Sequence, residues 1–205
     1  MRQGTKPLRQ GSKLNRKSIL EAAFKVLDAQ GFDGLSLRMV AERLRVQTPA
    51  LYWHVESKAS LINLMSATFS EAANRDKDHA RGWRNKLLAF ARALRRVMLV
   101  HRDSARLSLA ASPIEDPKVI AERIAAPLVD AGLSARHALS YSASVIAYTV
   151  GWVAYEQSQS MHEFLAQMID FSESFETGLK ALVGGLTNPP SAAGKSGKRN
   201  SSPKR

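Results

Sequence analysis

Between Leu35 and Lys58 the chain reads LSLRMVAERLRVQTPALYWHVESK, two helical phrases too short to be stable alone and joined too closely to separate. Ser36 can accept a hydrogen bond from a free N–H of the first turn. Leu37, Val40, Ala41 and Leu44 follow at helical spacing, with Arg38, Glu42 and Arg43 off the stripe. Arg45-Val46-Gln47 links this phrase to a second, for which Thr48 is the expected cap and Pro49 the first residue, where a missing N–H costs nothing. The second helix, Ala50 to about Val55, carries Tyr52, Trp53 and His54, three large side chains with polar tips. Helix, tight turn, helix is the geometry that lays a second helix in a DNA major groove. The plain alternative is a packed helical protein that never meets DNA, with these aromatic residues in its core.

Such a pair needs something to pack on. A first helix over Asn15 to Gln30 supplies it: Ile19, Ala22, Ala23, Val26 and Leu27 share a face, Asn15 caps it, and Gly31 is its left-handed stop. Ser57 caps a fourth helix, with Leu61, Ile62, Leu64, Met65 and Phe69, that is expected to run to Ala73. The polar run NRDKDHARG from Asn74 reads as a break and a domain boundary. Trp83 to Val100 is amphipathic, and Ser104 to Ala111 is a short helical piece ended by Ser112-Pro113. Pro117 opens a helix to Ala131, and Pro127 inside it predicts a kink or break. Ser134 caps a helix from Ala135 to about Gln159 whose ASVIAYTVGWVAY run predicts burial on several sides. Met161 to Leu186 reads as one last helix. There is no strand pattern and no internal repeat, so the fold class is all-α.

Composition narrows the function classes. With no cysteine among 205 residues, disulfides and thiolate metal sites are excluded, and no apolar run approaches the ~20 residues of a membrane span. No secretory signal is visible, and a cytoplasmic protein is the expectation. The net charge of +12 invites a nucleic-acid reading, but its placement tempers it. Arg2, Lys6, Arg9 and Lys13 contribute +4 within residues 1–13, and Lys195, Lys198, Arg199, Lys204 and Arg205 contribute +5 within 188–205, neither with an acid. Residues 1–13 are rich in Gly, Gln, Pro and basic residues and 188–205 in Pro, Ser, Gly and Lys, and both are expected to be disordered, a basic arm and a basic tail that attract phosphate non-specifically. The expected domains are then 14–73 and 83–187. No cysteine nucleophile, Gly-x-Ser-x-Gly, Gly-rich phosphate loop or clustered carboxylate set is present, so the reading is not an enzyme.

TPALYWHVESKASLINLM, together with NRKSILEAAFKVLDAQGFDGLSLRMVAERLRV before it, resembles the N-terminal domain of the tetracycline-repressor (TetR) family. HRDSARLSLAASP, AYTVGWVAYEQ and FETGLKALVGGL are similar to the C-terminal domain of its tetracycline-repressor branch. The resemblance implies an N-terminal three-helix helix-turn-helix DNA-binding domain and a C-terminal helical ligand-binding and dimerisation domain. It implies a homodimer that binds a double-stranded, palindromic DNA operator as a repressor and is released by a small organic effector. The alternative is a regulator with no effector, whose C-terminal domain only dimerises. Two long helices with more apolar surface than one small domain covers independently favour a dimer over burial within the monomer.

The resemblance carries the DNA contacts onto Arg38, Thr48, Pro49, Ala50, Tyr52, His54 and Lys58, with Arg38 reading a base and Lys58 a phosphate. Thr48 stands where the branch has glutamine and Ala50 where it has threonine, so a different operator is expected; Trp53 is expected in the core. The ligand site departs further. Ser108 stands in place of the magnesium-binding histidine, Ser112 of an arginine, Phe90 of an asparagine and Ala147 of another histidine. Serine alone is a poor ligand for a divalent cation, so no metal and no cofactor is expected, and tetracycline is not the expected effector. What remains is an apolar pocket expected from Phe90, Leu94, Met98, Leu107, Tyr148, Trp152 and Tyr155, for a greasy effector; singly, each is better read as core.

Overall fold

Helix-starting side chains set the architecture in the computed structural model, which describes residues 14–112 and 115–187. The basic arm, the basic tail and the Pro113 stop lie outside the described residues. Ten helices form there: α1 (Arg16–Gly34), α2 (Leu37–Leu44), α3 (Thr48–Tyr52), α4 (Lys58–Asp78), α5 (Trp83–Leu99), α6 (Ser104–Ala110), α7 (Pro117–Val129), α8 (Ala135–Gln157), α9 (Gln159–Leu165) and α10 (Phe171–Gly185). Asn15 Oδ1 accepts from the Ser18 N–H at 2.9 Å while Ser18 Oγ accepts from the Asn15 N–H, so α1 begins in a closed capping box. Ser36 and Ser57 cap α2 and α4 as expected. Thr48 does not cap α3: Gln47 holds that place without a side-chain bond, and Thr48 and Pro49 are the first helical residues.

A helix-turn-helix domain at the N-terminus shares its core with the helical domain that follows. Ile19, Ala23, Leu27, Leu35, Val40, Leu51 and Leu61 are fully or almost fully buried, and the same cluster continues through Met65 and Phe69 into Leu94, Met98, Leu107 and Val153. Helix α4 makes this continuity. Expected to stop at Ala73, it runs through the polar residues to Asp78 because Ala73 and Lys77 are buried against the rest of the fold, 0 % and 5 % exposed. Asp76 also receives Arg96 of α5 at 2.6 Å. The reversal comes later, at Gly82, whose φ of 75° opens α5.

Two further expectations are corrected. Helix α7 passes through Pro127 and ends at Val129; so near the C-terminus the proline removes one bond and breaks nothing. The last helix is two: α9 stops at Leu165, and Asp170 restarts the chain by accepting from the Glu173 N–H at 2.7 Å. Between and beside the two, Phe164 and Met168 are 58 % and 59 % exposed. Helix α8 packs on several sides, against α5, α6, α7 and α10: Val145, Thr149 and Val153 face inward, while Ala143, Ala147, Gly151 and Tyr155 line one exposed face.

A buried ion pair ties the C-terminal helices together. Both η2 and ε nitrogens of Arg95 on α5 donate to Glu156 of α8 at 2.7 Å, side chains 16 % and 10 % exposed, and the guanidinium lies 4.8 Å over the Phe175 ring of α10.

Candidate nucleic-acid interface

Leu51 and Val55, 0 % and 2 % exposed, pin the turn of α3 into the core and so dictate what its other faces show. Pro49, Tyr52, His54 and Lys58 are exposed, Thr48 and Ala50 half-exposed, and all lie on the outward side with Arg38 of α2. Trp53 was expected in the core; at 89 % it is the most solvent-facing large apolar side chain of the described residues. The spacing of Leu51 and Val55 by four residues was the signal: a helix that buries those two must turn Trp53 outward. Arg38 Nε donates to Glu42 Oε1 at 2.9 Å, one turn along, and its side chain is 81 % exposed, which leaves its two η nitrogens open to solvent. A guanidinium in that state presents two donors at the spacing of guanine O6 and N7. Lys58 Nζ lies 5.4 Å over the Phe32 ring, at the N-terminus of α4.

Behind this face runs a polar seam that no sequence motif announced. The segment HRDSAR before and within α6 docks on the C-terminal end of α1. Asp28 accepts from the Arg102 N–H at 3.1 Å and pairs with His101 Nδ1 at 3.1 Å, while the His101 ring stacks 4.2 Å from Phe24. Asp103 Oδ2 accepts from the Phe32 N–H at 2.9 Å. Arg106 closes a two-bond fork on Asp33, 2.7 Å each, and lies 4.9 Å over Phe32. The hydrogen bond from Arg106 holds the Asp33 carboxyl below its ordinary range, with the Arg106 and Lys58 charges adding to it. A carboxyl lowered by folding contributes stability above its unfolded pKa, and that contribution is lost as the pH falls through the lowered value.

Gly31 makes the seam possible. At φ 71° and ψ −179° it occupies a region reserved almost entirely for glycine, and a Cβ there would lie 2.8 Å from Asp103 Oδ2. Gly31→Ala is expected to cost about 2 kcal/mol by strain alone. It should also push Asp103 off the Phe32 N–H, so the denaturation midpoint falls together with DNA affinity. Lost stability with DNA affinity intact would show that the seam does not set the reading head.

A second tie crosses the fold nearby. Asn63 of α4 donates through Nδ2 to the Ser112 carbonyl at 2.7 Å and accepts from the Ser112 N–H at 2.8 Å. Three residues further on, Glu115 stands at the mouth of a groove of about 400 Å³ between α7 and α8, lined by Pro117, Ile120, Ala121, Ile124, Leu139, Ser142, Ala143 and Ile146 as well. None of the ten residues expected to hold a ligand lines it. Phe90, Leu94, Met98 and Leu107 are filled core, between 0 % and 8 % exposed. Tyr148 donates to the Phe175 carbonyl at 2.8 Å and, with Trp152 and Tyr155, forms an aromatic cluster against α10. Ser108 is half-exposed, Ser112 is held by Asn63, and Ala147 lies on the open face of α8. The groove is built mainly from small and branched residues that recur at helical spacing on α7 and α8. Among the described residues no three carboxylate or imidazole groups converge on one point.

Comparison with known proteins places this arrangement. Residues 19–65 match the family model described as bacterial regulatory proteins, tetR family, and residues 76–168 match that of the tetracyclin repressor-like C-terminal domain. The class E tetracycline repressor protein of Escherichia coli is 33 % identical over 159 residues, 74 % of this chain and 73 % of that one. The class A protein from transposon 1721, also from Escherichia coli, is 33 % identical over 197 residues, covering 85 % and 91 %. Among solved structures, a variant of TetR from Acinetobacter baumannii AYE in complex with minocycline aligns with a TM-score of 0.70 at 30 % identity, over 84 % of this chain and 96 % of that one.

Proposed function

Because the chain belongs to the TetR family of bacterial regulatory proteins, in its tetracycline-repressor-like branch, it is a DNA-binding transcriptional regulator, and we propose that it is a homodimeric repressor released from a palindromic operator by a small apolar molecule seated between α7 and α8. The observation that carries this reading is the pair of hydrogen bonds between Asn63 and Ser112. An occupant of the groove meets Glu115 and Pro117, close in sequence to Ser112. Ser112 is fastened to α4 at Asn63, and Lys58 stands at the N-terminus of the same helix, five residues before it. A small rotation of α4 in each subunit then changes the separation of the two α3 helices, which must stay about one DNA turn apart, ~34–36 Å, to enter successive major grooves.

The dimer reading is supported by the open face of α8, where Ala143, Ala147 and Gly151 let another helix approach closely, and by Thr177, Ala181 and Gly184 exposed on α10. A Cβ at Gly151 or Gly184 would meet nothing within 4 Å in the single chain. The mechanism requires reciprocity: an effector that weakens DNA binding must itself be expelled by DNA by the same factor. The test takes a compound that raises the melting temperature and measures its affinity with and without saturating operator selected from a random pool. Equal affinities would reduce the C-terminal domain to dimerisation.

One solved relative is bound to minocycline, but this chain is not expected to respond to that class of drug. Ser108 replaces the histidine that grips magnesium, and the groove offers a single hydroxyl and a carboxylate already engaged by Arg123. Magnesium with tetracycline should leave the DNA complex intact in a mobility-shift titration; dissociation at micromolar drug would overturn this view of the pocket.

A further inference from the structure

We propose that the effector is an uncharged molecule of about two or three fused rings bearing one hydroxyl or carbonyl oxygen, which hydrogen-bonds to Ser142. The inference rests on the groove being the effector site and goes further by assigning its chemistry. Ser142 is 8 % exposed, on the wall of the groove. Two hydroxyls on the same helix satisfy themselves by folding back one turn: Ser144 donates to the Ser140 carbonyl at 3.0 Å and Thr149 to the Val145 carbonyl at 2.8 Å. Ser142 makes no such bond, and among the described residues its Oγ has no hydrogen-bond partner. Since no fully buried polar side-chain atom there is left without a partner, this oxygen must open onto the groove, where it can donate to or accept from an occupant.

Charge is excluded by the surroundings. The walls that face Ser142 are Ile120, Ala121, Ile124, Leu139, Ala143 and Ile146, which solvate no ion. Glu115 is the charged lining residue, and Arg123 holds it at 2.7 Å. Glu115 and Arg123 cancel each other's charge, so the groove offers no net charge to hold an ion of either sign. A volume of about 400 Å³ sits at the small end of organic ligand sites and fits a fused-ring body, with space left for substituents.

Three probes of matched shape separate these claims: 1-naphthol, 1-methylnaphthalene and 1-naphthoate, titrated by fluorescence against the full chain. The naphthol should bind about fivefold more tightly than the methyl analogue, the size of one net hydrogen bond. S142A should erase that preference while leaving 1-methylnaphthalene affinity within twofold, and naphthoate should bind at least tenfold more weakly than naphthol. I124W, which fills the groove, should abolish binding of all three while the helical circular-dichroism spectrum persists. Naphthoate as the tightest probe, a naphthol preference that survives in S142A, or no saturable binding by any probe would each overturn the assignment. Binding in the expected order without any change in operator affinity would leave this chemistry standing and overturn the regulatory reading instead.

Discussion

Arg38→Ala should lower operator affinity by ~1–3 kcal/mol per half-site, so roughly 2–6 kcal/mol for a dimer on two half-sites, and should relax choice at one base pair in each. The side chain leaves little behind when it turns to DNA, because its pair with Glu42 is solvent-exposed, with side chains 81 % and 53 % exposed. Pairs of that kind contribute at most about 1 kcal/mol. Lys58→Ala is the control. At the head of α4, beside Phe32, it can reach a phosphate but not a base edge, so its loss should weaken all sequences about equally and reduce the salt slope by about one unit. The measurement is affinity across a set of single-base operator variants at two salt concentrations. If Arg38→Ala keeps the wild-type ranking of those variants, Arg38 is not the reading residue.

Glu156→Leu is expected to destabilise the folded chain by about 3 kcal/mol. Removing one partner of a buried pair strands the other, and the stranded Arg95 is only 16 % exposed, enclosed by α5, α8 and α10. Replacing both partners tests whether the loss is a desolvation effect. Arg95→Met with Glu156→Leu fills the same space without charge and should recover most of the stability. Urea unfolding at one fixed protein concentration decides between them, since a dimer's stability depends on concentration. A single variant as stable as wild type would mean that water reaches Arg95 freely.

The helix-turn-helix was legible because its rules are local: Ser36 and Ser57 cap, and Leu37, Val40 and Ala41 repeat at a period the structure reproduces. Errors came where a tertiary contact outweighed a local signal. The polar residues after Ala73 stay helical because Lys77 is buried and Asp76 has a partner in α5. Trp53 was assigned to the core by its size, although its neighbours Leu51 and Val55 already occupied the inward positions. Of the residues the resemblance offered for a ligand, Phe90, Leu94, Met98 and Leu107 are buried, and Tyr148 and Trp152 pack on Phe175 of α10. Nothing in the sequence shows that Asp28, Asp33, Asp103 and Arg106 meet, because each pair is separated by more than seventy positions and depends on an unusual backbone conformation at Gly31 and Asp103.

The groove and the seam draw on different helices. The walls that would recognise a molecule come from α7 and α8, whereas the bonds that hold the reading head come from α1, α4 and α6. Substitutions at Ile120, Ile124 or Leu139, away from the dimer face of α8, would therefore remould the shape of the input without touching the parts that set the output. A chain built this way behaves as an interchangeable receiver on a fixed transmitter. Libraries confined to those wall positions should yield regulators that answer to new compounds while still recognising the original operator.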